Sequence, residues 1–168
     1  MRIFNAGMKL SPVTFFAAFC ACAGLAHAEP VTMTGGWAAD FSLPMTQSAN
    51  TGTTVFQLEG SYKLNSKSKG DVYFLLTCVG MEAATKVSES ETHTKGSGRC
   101  ELKDKDGDKL LAGMETAFDG FTLHVDGGTG KWGGASGSIV SKETFTVETE
   151  RLLKGYSNAK GELLFGKH

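Results

Sequence analysis

The sequence predicts an all-β domain of about eight short antiparallel strands, and three observations lead there. Apolar and polar residues alternate with a period of two, most cleanly in FTLHVD (121–126), where Phe121, Leu123 and Val125 share one face. Clusters of Gly, Asn, Asp and Ser separate such stretches at regular intervals. Only the segment from Met81 could begin as a short helix, and no stretch reads as a stable one. Short connections imply antiparallel neighbours, and eight strands can close into a barrel or form two packed sheets.

Residues 1–28 are expected to be a secretory signal peptide, with residues 29–168 as a single domain. Arg2 and Lys9 give a positive start, Val13 to Leu25 an apolar stretch, and Ala26-His27-Ala28 a small-x-small cleavage site. The apolar stretch is too short for a membrane-spanning helix, and no second one follows. Cys20 and Cys22 lack the Leu-small-small context of a lipid anchor. The expected location is therefore periplasmic or extracellular.

The remaining 140 residues suffice for one core. They carry all 18 acidic residues and all the basic ones except Arg2 and Lys9, a formal charge of −3. No basic block interleaves with aromatics, which argues against nucleic acid as a partner. Two cysteines remain, Cys78 and Cys100, and in an exported chain they are most simply one disulfide.

In chain order, a short strand is expected near Met33 to Phe41, then a loop through Ser48 to Gly52. Thr54 to Leu64 alternates well, with Phe56, Leu58, Tyr62 and Leu64 on one face and Glu59 on the other. NSKSKG (65–70) is a polar turn. Asp71 to Val79 is nearly all apolar and is expected to be a central strand buried on both faces. Met81 to Gly98 accumulates Ser, Thr and Gly, which favours a long connection or irregular edge strand.

Arg99 to Lys103 and Lys109 to Phe118 flank Asp106-Gly107, a two-residue hairpin turn. After Val125 the glycines Gly127, Gly128, Gly130, Gly133, Gly134 and Gly137 imply a tight turn and a strongly bent strand, with Trp132 among them. Glu143 to Leu153 alternates again. Tyr156 to Gly161 is expected to turn the chain into a closing strand, Glu162 to Phe165.

The run GGTGKWGGASGS (127–138) resembles the Gly-Thr-Gly, aromatic, Gly-Ala, Gly signature of the allene oxide cyclase and dirigent-like barrel superfamily. It is most similar to that group's small secreted bacterial members. The preceding CELKDKDGDK (100–109) is similar to a hairpin found before that signature, so the resemblance covers roughly residues 98 to 145. It implies a calycin-like, eight-stranded antiparallel barrel rather than a sandwich.

Candidate chemistry is sparse. Asp104, Asp106 and Asp108 match the start of a calcium loop, and Glu115 stands at its twelfth position, but strand-like sequence flanks it where an EF-hand needs helices. Gly127 to Lys131 lacks the spacing of a phosphate loop, with Trp132 where Ser or Thr should stand. His93, His124 and His168 have no zinc-like spacing, so no metal site is expected. Glu115 shares a row with Leu111, Gly113 and Ala117; facing a dry lumen, its carboxyl would be raised by desolvation and could act as a general acid. Trp132 could stack on a ligand at the barrel mouth or plug the space its glycines leave.

The function expected is binding of a small, largely apolar molecule in the lumen by Glu115, Phe121 and Trp132, without a cofactor. The resemblance implies an alternative, a cofactor-free cyclase or isomerase, with Glu115 its weak catalytic candidate. A third reading is a structural protein whose own side chains fill the barrel.

Overall fold

In the computed structural model, residues 27–88, 91–149 and 151–166 are described. Eight strands form one closed antiparallel barrel: β1 (Glu29–Ser48), β2 (Thr51–Ser66), β3 (Gly70–Lys86), β4 (Thr92–Asp104), β5 (Lys109–Ala117), β6 (Gly120–Gly128), β7 (Ser136–Glu148) and β8 (Leu152–Leu164). Each strand pairs with the next, and β1 closes the ring on β8 from Glu29↔Leu163 to Asp40↔Leu152. A single 3₁₀ turn, Gly130–Trp132, links β6 to β7. All of the expected signal peptide but its last two residues lies outside the described residues, as does His168.

Because the strand period is two, one row of each strand fills the barrel and the other faces outward. The inner rows include Met33, Phe56, Leu58, Tyr62, Leu64, Phe74, Leu76, Leu102, Leu110, Met114, Leu123 and Ile139, all buried. Cys78 and Cys100 are direct cross-strand partners on β3 and β4, both inward, and they form the expected disulfide with Cα atoms 4.1 Å apart.

Several expectations are corrected. The β3 segment is buried on one face only: Tyr73, Leu75 and Val79 point outward and are exposed. A barrel wall has one inside, so a continuous apolar run does not imply two buried faces. Met81 to Gly98 is no loose connection, since β3 and β4 stay in register from Met81↔Ser97 to Lys86↔Thr92. Its inward positions are Glu82, Ala84, Thr94, Gly96 and Gly98, small or polar, and the apolar alternation fades for that reason.

Tyr156 to Gly161 lies in the middle of β8, paired with both β1 and β7, and the chain reverses earlier, between Glu148 and Leu152. Its turn-like composition has a packing cause. Ser157, Ala159 and Gly161 are the small inward row: Ser157 meets the Tyr62 hydroxyl, a Cβ on Gly161 would lie 2.0 Å from the Ser138 carbonyl oxygen, and one on nearby Gly155 would lie 2.7 Å from the Trp37 ring. β1 also runs past Pro44, with a register shift between Ser42 and Met45. A proline without an N–H sits there at no cost to the ladder. The hairpin forms at Asp-Gly, but the expected two-residue turn is corrected: the loop has four residues, 105–108, because the Asp104 carboxylate accepts the Asp106 and Asp108 N–H groups inside it, with Gly107 at φ +89.

Candidate functional site

The two ends of the barrel differ. At the end holding the β2–β3, β4–β5 and β6–β7 connections, Trp132 is fully buried. Its ring packs 5.2 Å from Phe74 and 5.7 Å from Phe165, centroid to centroid. Its Nε1–H donates to Asp104 Oδ2 at 2.8 Å. The Asp104 side chain is itself buried, also accepting the backbone N–H of Asp106 and Asp108 and pairing with Lys131 Nζ at 2.9 Å. Desolvation alone would raise its pKa, but these donors and the Lys131 charge hold it below the usual carboxylate range. Lys69 Nζ covers the Trp132 and Phe165 rings from 5.8 and 5.6 Å.

This end is sealed. Trp132 is the plug, so the ligand-stacking position at the mouth is corrected. Asp104 is spent on the plug rather than offered to calcium, and among the described residues no group of three His, Cys, Asp or Glu side chains could hold a metal.

Among the described residues, the opposite end is open. The β5–β6 hairpin turns early, at Phe118 and Asp119, whereas β3–β4 runs on to Lys86 and Thr92 and β7 to Glu148, so the wall drops at β5–β6. Behind that gap lies a cavity of about 210 Å³, walled by Phe41, Phe56, Leu58, Met114, Phe121 and Leu153. Trp37 and Phe145 meet edge to face at 5.9 Å and 87° on one side. Phe121 lies where an inward β6 row should place it.

Glu115 is not in this cavity. Its side chain is 72% exposed on the outer face, 3.8 Å from His124. The inward row of β5 is Leu110, Ala112, Met114 and Thr116, because Ala112 lies opposite the inward Cys100 and cross-strand partners share a face. Glu115, opposite Ser97 and Thr122, is thereby turned out. His93 is likewise exposed and pairs with Glu91 at 2.8 Å.

The lumen has carboxylates of its own, which sequence reading missed. Glu143 on β7 is the centre of a hydrogen-bonded cluster at the cavity wall. It accepts Trp37 Nε1–H, the Ser141 hydroxyl and, at 2.7 Å, the Ser157 hydroxyl. Ser157 has only one proton and gives it to Glu143, so Tyr62 O–H is the donor in the 2.8 Å contact with Ser157. Burial pushes the Tyr62 hydroxyl pKa up, with the Glu143 charge adding to it, so Tyr62 stays a neutral donor.

Glu82 on β3 is different. It is half-buried at the cavity edge, and its only hydrogen bond among the described residues comes from Thr116 Oγ1 to Oε2 at 3.1 Å. Burial raises its carboxyl pKa, and the Thr116 bond opposes the rise only in part. Both glutamates were traceable in principle: Glu82 continues the Phe74, Leu76, Cys78 row, and Glu143 the Ile139, Ser141 row. Ending the third strand at Val79 hid the first.

No family model and no curated protein matches this chain. Among solved structures, the chain is similar to the pterocarpan synthase dirigent protein, at 13% identity and a TM-score of 0.44, covering 98% of this chain and 100% of that one. The barrel assignment stands on the strand ladders themselves. No helix among the described residues is long and apolar enough to cross a membrane.

Proposed function

We propose that this protein binds a small, largely apolar molecule in the open end of its barrel, as an exported member of the allene oxide cyclase and dirigent-like group. The observation that carries the reading is the aromatic-walled cavity behind the β5–β6 gap. A barrel meant only as a scaffold would fill that end as Trp132 fills the other. Pockets for small molecules have this character, apolar walls with a few placed polar groups. The disulfide fits an oxidising compartment.

The test is titration with a neutral apolar fluorophore, N-phenyl-1-naphthylamine, on the folded protein. Saturable one-to-one binding is expected, weakened about tenfold or more by Ala39→Phe, which fills the cavity, and untouched by Glu115→Leu on the outer face. Absence of saturation, or equal binding by a folded Ala39→Phe variant, overturns the reading.

Glu82 favours a second reading. A desolvated carboxyl with one oxygen free of partners among the described residues could protonate a bound molecule and so assist an isomerisation or cyclisation. An unsaturated epoxide returned as a cyclic isomer by the native protein, but not by Glu82→Gln, would establish catalysis. Unchanged recovery leaves binding alone.

A further inference from the structure

We propose, building on the binding reading above, that the molecule this cavity takes is a small organic cation, an apolar body carrying a protonated amine. The charge inventory of the cavity is one-sided. Among the described residues three carboxylates line it, Glu82, Glu143 and Glu148, and none of the lining side chains is Lys, Arg or His. The lysines that meet aromatic rings, Lys69 and Lys131, do so at the sealed end.

The hydrogen-bond inventory is one-sided in the same sense. The Trp37 N–H and the Ser141 and Ser157 hydroxyls are committed to Glu143, and the Thr116 hydroxyl is committed to Glu82. What remains for a ligand among the described residues is chiefly acceptor capacity, foremost Glu82 Oε1, beside the single uncommitted hydroxyl of Thr94. An anionic ligand would face like charges with only the Thr94 hydroxyl to meet it. A neutral ligand would leave the half-buried Glu82 carboxylate without a counter-charge.

An ammonium group answers both, and the wall suits its apolar body. Aromatic faces attract a cation through their quadrupole, most strongly where water is excluded. Phe41 and Phe56, 6.2 Å apart, line the same cavity as Trp37, Phe121 and Phe145.

The pairing also has a pH signature. Facing Glu82 are Thr54 on β2, Gly96 and Thr94 on β4 and Thr116 on β5, none of which titrates near neutrality. Glu143 and Glu148 on β7 are the other acidic groups of the cavity. A bound ammonium favours the charged form of Glu82, so affinity should fall as acid protonates it.

Calorimetry on the folded, disulfide-bonded protein with three naphthalenes of nearly equal size separates the outcomes. These are 2-naphthylmethylammonium, 2-naphthylmethanol and 2-naphthoate. The ammonium compound is expected to bind about tenfold or more tighter than the alcohol, and the carboxylate least. Glu82→Gln should bring the ammonium compound down to the alcohol's affinity while leaving the alcohol within about twofold. Equal affinity for ammonium and alcohol, or strongest binding of naphthoate, overturns the cation assignment and leaves the cavity reading standing. If none of the three binds, the cavity reading falls with it.

Discussion

Glu82 and Glu143 show how far one residue type can diverge inside a single lumen. Three donors converge on Glu143, so its carboxylate is part of the wall. Glu82 has one, and the burial that raises its pKa outweighs that single bond. The sign of the stability effect follows. Between the ordinary carboxylate pKa and the raised one, the folded chain holds a proton that the unfolded chain has released. Stability therefore falls as pH rises through that window and is level above it. Glu82→Gln keeps an acceptor for Thr116 and removes the buried charge. It is expected to melt above the wild type at neutral pH, the gap closing as pH drops toward about 4. Thermal melts of both proteins from acid to neutral pH check this; a variant less stable at neutral pH would show that the Glu82 charge is compensated after all.

At the scale of elements, the segment from β6 into β7 shows what its glycines are for, and not all serve alike. Gly137 lies at φ +136, and a Cβ there would sit 2.1 Å from the Glu162 carbonyl oxygen of the neighbouring β8. Neither the backbone region nor the space admits a side chain. Gly134 lies at φ +72, with Gly166 Cα 3.6 Å from its would-be Cβ, and Gly133 at φ −53 has an ordinary backbone. Gly137→Val should cost more than the roughly 1–3 kcal/mol of a disfavoured backbone region alone, with Gly134→Ala near about 1 kcal/mol. Urea midpoints will rank them; equal midpoints for both variants would mean that β7 shifts away from β8 without penalty.

For the molecule as a whole, the barrel is a one-ended container tied across its wall. Trp132, Asp104 and Lys131 seal one end, while the short β5–β6 hairpin leaves the other accessible. The Cys78–Cys100 bond joins adjacent strands 22 residues apart in sequence. On the chain-entropy estimate it contributes about 3 kcal/mol. Replacing both cysteines by Ala should lower the denaturant midpoint accordingly and keep the strand content, since the β3–β4 ladder persists beyond the bond on both sides. A midpoint within about 0.5 kcal/mol of the wild type would assign the stability of this hairpin to its ladder alone.

Much of this architecture is local, and the sequence by itself determined that much. The alternation of Phe121, Leu123 and Val125 and the outward Glu59 each depend on neighbours within a few residues, and each lies in the structure as read; the Asp-Gly reversal lies at the place read for it, but in a four-residue loop. The inward face of β5 was beyond such reading. Leu111, Gly113 and Ala117 are as apolar as Leu110, Ala112 and Met114, and only pairing with Cys100 and Leu102 selects the second row. Strand ends were hidden similarly: Gly96, Gly98, Ser157 and Gly161 look like turn residues, but facing backbone occupies the space beside the glycines and the Tyr62 hydroxyl sits on Ser157. The closure of β1 on β8 and the empty volume beside Glu82 belong to no single segment. They arise from the summed bulk and register of eight strands, which only the folded barrel brings together.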